Sequence, residues 1–184
     1  MTIPLDRNPE QAFPENVLKM PLSEERPWRI AHVKSRREKA LAAFLAGHST
    51  PYFLPLIKKR QPGQARKRYS LVPIFTGYIF FMADNAQRYQ ALTSGQIANI
   101  IEIKDQARLV HELVQVKEAL QGEMPVYPYD YVREGQMVRI TQGPMQNLQG
   151  IVESKKNNYR LILRVSCIMQ AVAMDIDADW IEPL

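Results

Sequence analysis

The sequence predicts an α+β chain that ends in a small β-barrel, on three observations. Before residue 121, apolar residues alternate with period two, then recur at helical spacing, and this exchange repeats several times. A stretch bearing Gly122, Pro125 and Pro128 then breaks the pattern. Beyond it lie only short alternating runs separated by turn signals, over about 50 residues.

Each element follows in order. Residues 1–27 hold Pro4, Pro9, Pro14, Pro21 and Pro27 among acidic residues and few clustered apolar ones. Such a segment cannot bury enough surface to offset its ordering entropy, so a flexible or loosely docked arm is expected. Trp28 to Lys34 alternates as a strand with one buried face. Arg37 to Ala46 sets Ala40, Leu41, Phe44 and Leu45 at helical spacing, with Gly47 as a stop. Tyr52 to Ile57 reads as a second strand, and Lys58 to Tyr69, with Pro62-Gly63 inside, as a hairpin loop. The most apolar stretch, Val72 to Met82, is a third strand. Ala86 to Leu92 reads as a short helix, Ile97 to Ile103 as a fourth strand, and Gln106 to Leu120 as a helix with Leu109, Val110, Leu113, Val116 and Leu120 along one side.

These elements make an antiparallel sheet with helices packed on it, a first domain over 28–121. A linker follows over 122–131. Met137–Thr141, Gly150–Ser154, Tyr159–Cys167 and Gln170–Ile176 are then the strands of a five-stranded barrel over 132–184, divided by Gly143-Pro144 and Asn157-Asn158. Closure would remove the pairing edges that so small a sheet exposes.

Composition excludes several classes. Among 184 residues no apolar run approaches the length of about 20 that spans a bilayer. The first residues lack the basic start and apolar core of a signal peptide, so a cytoplasmic protein with no membrane role is expected. A single cysteine, Cys167, in an apolar run reads as a buried strand residue. His32, His48 and His111 are scattered without ligand spacing, so no metal and no cofactor is expected. No nucleophile, phosphate-binding glycine loop or paired acids are present, and an enzyme is not expected.

The net charge of +5 is unevenly spread. Trp28 to Ala83 holds eleven Lys/Arg residues against one acid, Glu38. Such a block marks a surface that meets phosphate or an acidic partner. With one acid inside it, two-metal nuclease chemistry is poorly supported.

Two segments carry a family resemblance. Phe75-Thr-Gly-Tyr-Ile-Phe80 resembles the Phe-Pro-Gly-Tyr-aliphatic-Phe strand of the NusG amino-terminal (NGN) domain, preceded by a strand that opens at Trp28 and by a basic loop. Gly135-Gln-Met-Val-Arg-Ile-Thr-Gln-Gly-Pro144, followed by Leu148-Gln-Gly-Ile-Val152, looks like a KOW motif. Gly143-Pro144 suits its tight turn, and Gly150 a close backbone approach. The chain is thereby similar to NusG-family transcription elongation and antitermination factors: an NGN-like sandwich followed by an SH3-like KOW barrel.

The resemblance implies a set of partners and residues. The NGN domain would bind the clamp helices of the largest catalytic subunit of RNA polymerase through Phe75, Tyr78 and Phe80, with Ile100, Val110 and Leu113 lining the hollow and His32 at its rim. Lys34, Arg36, Arg37, Lys39, Lys58, Lys59, Arg60, Arg66, Lys67 and Arg68 would face nucleic acid, the non-template DNA strand in specialised relatives. The KOW barrel would take ribosomal protein S10 through Gly143, Pro144, an exposed Met145, and the loop Ile168-Met169-Gln170. Met145 stands where housekeeping relatives carry phenylalanine, which weighs against the termination factor Rho as a partner. Thr76 in place of proline, and the absent glycine-rich end at Ile101-Glu-Ile, point to a specialised, RfaH-like paralogue, acting as a monomer. The competing reading is a ribosome- or RNA-binding KOW protein that acts in translation.

Overall fold

The computed structural model describes residues 8–60, 69–122, 124–129, 135–155 and 158–184. The chain divides into two compact units, Met1–Gln106 and Ala107–Leu184. It is an α+β protein: an antiparallel sheet with helices, then a small β unit.

The first unit contains β1 (Ala12–Phe13), β2 (Trp28–Val33), α1 (Glu38–Gly47), β3 (Tyr52–Phe53), β4 (Leu56–Arg60), β5 (Tyr69–Pro73), β6 (Tyr78–Met82), α2 (Asn85–Thr93) and β7 (Ile97–Glu102). Five strands form one sheet in the order β1-β3-β6-β2-β7, and β4 pairs with β5 as a separate two-stranded ribbon. Side chains in a strand alternate between faces, so the register decides which residues share a side. Trp28 lies opposite Met82, Ile30 opposite Phe80 and His32 opposite Tyr78, all on one face; Arg29 with Phe81 and Ala31 with Ile79 take the other. That second face, with Val33 and Tyr52, packs on Leu41, Ala42 and Leu45 of α1 and Ala91 of α2 in a single core.

The α2 start is fixed by a capping box. Asp84 accepts from the Gln87 amide at 2.8 Å, and the Gln87 side chain accepts from the Asp84 amide at 3.3 Å.

Two expectations for this unit are corrected. The long apolar stretch Val72–Met82 is not one strand. It ends at Pro73 and restarts at Tyr78 across a turn, where Gly77 has φ +87°, a region that disfavours side chains. The described part of the arm, residues 8–27, also docks more closely than its composition suggests. Ala12 and Phe13 pair with Phe53 and Tyr52 at the sheet edge, and Val17 and Leu18 are buried. Its few apolar residues suffice because an unpaired strand edge supplies backbone partners.

The second unit contains most of α3 (Gln106–Gln121), then β8 (Tyr127–Tyr129), β9 (Gln136–Ile140), β10 (Gln149–Lys155), β11 (Asn158–Val165), β12 (Gln170–Ile176) and β13 (Ile181–Pro183). Six strands pair antiparallel in the order β13-β9-β10-β11-β12-β8. The expected linker thus contributes a strand, β8. Val138, Ile140, Leu161, Leu163, Val165, Val172, Met174 and Ile176 alternate into its core. Cys167 lies in a short 3-10 turn, Ser166–Ile168, rather than in a strand; burial pushes its thiol up to about 11.

Helix α3 belongs to this unit from Ala107 onward, although its sequence position suggested the end of the first domain. Polar contacts explain the grouping. Glu112 accepts from the Ser166 amide at 2.8 Å and hydroxyl at 2.6 Å, and Gln115 accepts from the Gln149 amide at 3.0 Å. Among the described residues no helix is long and apolar enough to cross a membrane.

Gly150 is required by packing. A Cβ there would lie 2.6 Å from the Ile162 carbonyl oxygen, whereas one on Gly47 would meet nothing within 4 Å. Gly150→Ala is therefore expected to cost about 2 kcal/mol. Gly47→Ala should be stabilising by about 0.5 kcal/mol, through the unfolded state. Urea unfolding of the two variants checks the opposite signs.

Arg160 lies 5.9 Å and 5.5 Å from the ring centroids of Tyr127 and Tyr129 and bonds Asp175 at 3.0 Å. Tyr127 donates to Asp175 at 2.8 Å. The Tyr127 hydroxyl and then Arg160 hold the Asp175 carboxyl below its usual range. A lowered folded-state pKa means a contribution present above the ordinary carboxylate range and lost as pH falls through it. Melting temperatures of the native chain and Asp175→Asn should therefore differ at about pH 6 and converge as pH falls below the ordinary carboxylate range, through the lowered folded-state pKa. A gap that is constant across that window would refute the assignment.

Candidate functional site

The first candidate surface lies where β2 and β6 run out. His32 on β2 is exposed and Tyr78 on β6 half-buried, their ring centroids 5.2 Å apart at 31°. Gly77 sits beneath the pair: a Cβ there would be 3.6 Å from the His32 ring. The Gly77 amide donates to Glu38 at 2.7 Å, and that carboxylate is buried at the first turn of α1. One acid thus fixes the aromatic turn against the start of the helix, whose dipole favours it there.

The remaining aromatics are placed differently from expectation. Phe75 and Phe80 are 1% and 0% exposed, in edge-to-face contact at 6.1 Å. They are core residues. Ile100 lies opposite Ala31, so it packs into the core beneath α1 and α2, on the sheet face away from His32 and Tyr78. Its neighbour Ile101 pairs with Ile30 and takes the aromatic face. Val110 and Leu113 belong to the second unit, Val110 half-buried and Leu113 fully buried. Strand alternation predicts such splits, but the register that assigns the faces is a tertiary property.

The basic block resolves into two groups. Lys34, Arg36 and Arg37 are exposed on the loop between β2 and α1, where Arg36 has φ +59° and Lys34 donates to the Gly95 carbonyl at 2.7 Å. Lys58 and Lys59 are exposed on β4, and Arg60 ends that strand opposite Tyr69. Arg66, Lys67 and Arg68 lie outside the described residues. Lys39 differs from both groups: it is half-buried, donates to the Leu71 carbonyl at 2.6 Å and also bonds Asn8. Burial lowers its pKa, and its ammonium is committed to protein partners.

In the second unit, Gly143 has φ +78° and stacks on Trp180, where a Cβ would come within 2.9 Å of the ring. Pro144 is exposed at this turn. Met145, expected at the surface, is 2% exposed because its thioether covers the Cα of Gly122 at the end of α3. Ile168 is buried as well, while Met169, with φ +53°, stands 47% exposed. A cleft of about 160 Å³ beside α3 is rimmed by Arg108, His111 and Arg164 over Met137 and Ile162. Among the described residues no cluster of His, Cys, Asp or Glu could hold a metal ion.

An aromatic pair on a helix-backed antiparallel sheet, flanked by exposed cations and followed by a second unit of short-looped strands, is the arrangement that the first unit and its neighbour present. The family model for NusG, described as transcription termination factor nusG, matches residues 26–128, more than half of the chain, and the chain belongs to that family. Among solved structures it is similar to one titled "Domain interaction in Thermotoga maritima NusG", at 13% identity and a TM-score of 0.45, over 86% of this chain and 97% of that one. No curated protein matches.

The burial pattern separates core from surface among the aromatics. Phe75→Ala should cost about 3 kcal/mol or more by leaving a cavity. Tyr78→Ala should cost about 1 kcal/mol or less, since its ring is partly solvated. Urea denaturation of each variant measures both.

Proposed function

We propose that the chain is an elongation and antitermination factor that grips the clamp helices of RNA polymerase with the surface around His32 and Tyr78 and suppresses pausing. What carries this reading is the paired rings of His32 and Tyr78, which remain accessible within the segment matched by the NusG family model. An aromatic anchor desolvated by a partner dominates an interface, at roughly 2 kcal/mol or more when truncated. By binding the closed arrangement of the clamp more tightly than the open one, the factor shifts the population away from the paused state.

Lys34, Arg36, Arg37, Lys58 and Lys59 meet phosphates of the non-template strand, which position the protein without reading sequence. The second unit recruits a further partner such as ribosomal protein S10 through Pro144 and Met169. The protein works without a catalytic step of its own, in the cytoplasm, on selected operons as a specialised family member.

Co-purification with core polymerase tests the anchor. His32→Ala/Tyr78→Ala should lose about thirtyfold or more in affinity while remaining folded. Equal binding by the folded double variant removes the anchor from the account. Binding to single-stranded DNA should fall with salt at a log-log slope of about −3.5, as five cations at about 0.7 each would give. Transcription on one template with and without the protein should show shortened pauses.

A further inference from the structure

We propose that the segment Asn8–Lys19 is a built-in brace that holds the β4–β5 ribbon in its working orientation toward nucleic acid. The proposal rests on the reading of Lys58 and Lys59 as phosphate contacts. The segment lies outside the residues matched by the family model, which begin at residue 26.

The ribbon needs external support. Among the described residues it is a two-stranded sheet of its own, joined to no strand of the main sheet, and a lone pair of strands is marginal in water. Its direction is therefore set by whatever holds its base. One support is internal: the Ile74 amide donates to the Pro55 carbonyl at 3.0 Å. Others come from the arm. The Gln11 side chain accepts from the Leu56 amide, the first residue of β4, at 3.2 Å, while the Gln11 carbonyl accepts from the Leu54 amide at 2.7 Å. Lys39 bridges the arm to the second strand, bonding Asn8 on one side and the Leu71 carbonyl of β5 on the other.

The arm is itself anchored. Phe13 stacks on Tyr52 at 6.2 Å and packs, with Leu56 and Leu71 of the ribbon, against one core. The Tyr52 hydroxyl donates to the Glu10 carbonyl at 3.0 Å, and Val17 and Leu18 are buried. Brace and ribbon thus share a hydrophobic footing and a set of directional bonds. Lys39, which charge alone would assign to phosphate, acts instead as a positioning residue.

Electrostatics alone predicts the opposite outcome on loss of the arm's influence. Residues 1–25 carry Asp6, Glu10, Glu15, Glu24 and Glu25 against Arg7 and Lys19. Weakening an acidic neighbour should strengthen binding to an anion, whereas weakening a brace should reduce it.

The test uses the full chain and a labelled single-stranded oligothymidylate. Asn8→Ala/Gln11→Ala cuts both side-chain ties and changes no charge. Amide exchange over Leu56–Lys59 and Tyr69–Leu71 should accelerate about tenfold. Oligonucleotide affinity should fall about threefold, with a salt slope shallower by about 1, while the melting temperature moves by no more than a few degrees. Asn8→Asp/Gln11→Glu keeps acceptors at both ties and should restore slow exchange. Glu24→Gln/Glu25→Gln, which removes acid and cuts no tie, should bind as well as the native chain or better. Unchanged ribbon exchange in the Ala pair overturns the brace, as does accelerated exchange with unaltered affinity and slope. If the native chain fails to bind the oligonucleotide, the phosphate-contacting reading falls instead, and the exchange comparison still decides whether the arm holds the ribbon.

Discussion

The antiparallel pairing of Trp28–Val33 with Tyr78–Met82 determines where most of the first unit's chemistry can stand. With a side-chain period of two, fixing Ile30 opposite Phe80 also fixes His32 opposite Tyr78 and sends Ala31 and Ile79 under the helices. A slip of one residue would bury His32 and expose the Ala31 row. The register is held at its upper end by Glu38, which reaches from α1 to the Gly77 amide, and at its lower end by Arg29, which pairs with Glu102 on β7. The ring pair is accessible because the sheet ends there: the same face closer to Trp28 is fully buried.

The second unit relies on a different economy of contacts. Besides the buried Leu109, Leu113, Val116 and Ala119, α3 offers side chains that satisfy backbone amides of this unit, at Ser166 and at Gln149, the first residue of β10. Half-buried amides of this kind cost more to leave unpaired than their bonds contribute net, so Glu112 and Gln115 help to fix where α3 lies on this unit. The same docking covers Met145. A residue that looks like a surface anchor in the linear motif is thus occupied by the chain's own glycine, Gly122. At Tyr127, Tyr129 and Arg160, the supposed linker is likewise converted into a strand by cross-strand aromatic and ionic contacts.

Charge behaves similarly. The basic block was visible as a count, yet its members do unlike things: Arg36 and Arg37 are free in solvent on a tight loop, whereas Lys39 bridges the arm and the ribbon. A long aliphatic stem lets lysine do either, and the decision depends on whether carbonyls lie within reach.

The sequence by itself determined the three helices and the longer strands, because periodicity and punctuation are local: β12 spans Gln170–Ile176 as read, and α3 differs by one residue, whereas the short strands β1, β8 and β13 had no local signal. It also carried the family resemblance, through the linear motifs Phe75–Phe80 and Gly135–Pro144. Tertiary structure decided what is surface. That Phe75 and Phe80 are core, that Ile100 faces the helices, that Met145 is covered and that a proline-rich arm pairs with β3 all depend on partners distant in the chain. Exposure is a property of those long-range contacts, and no local pattern encodes it.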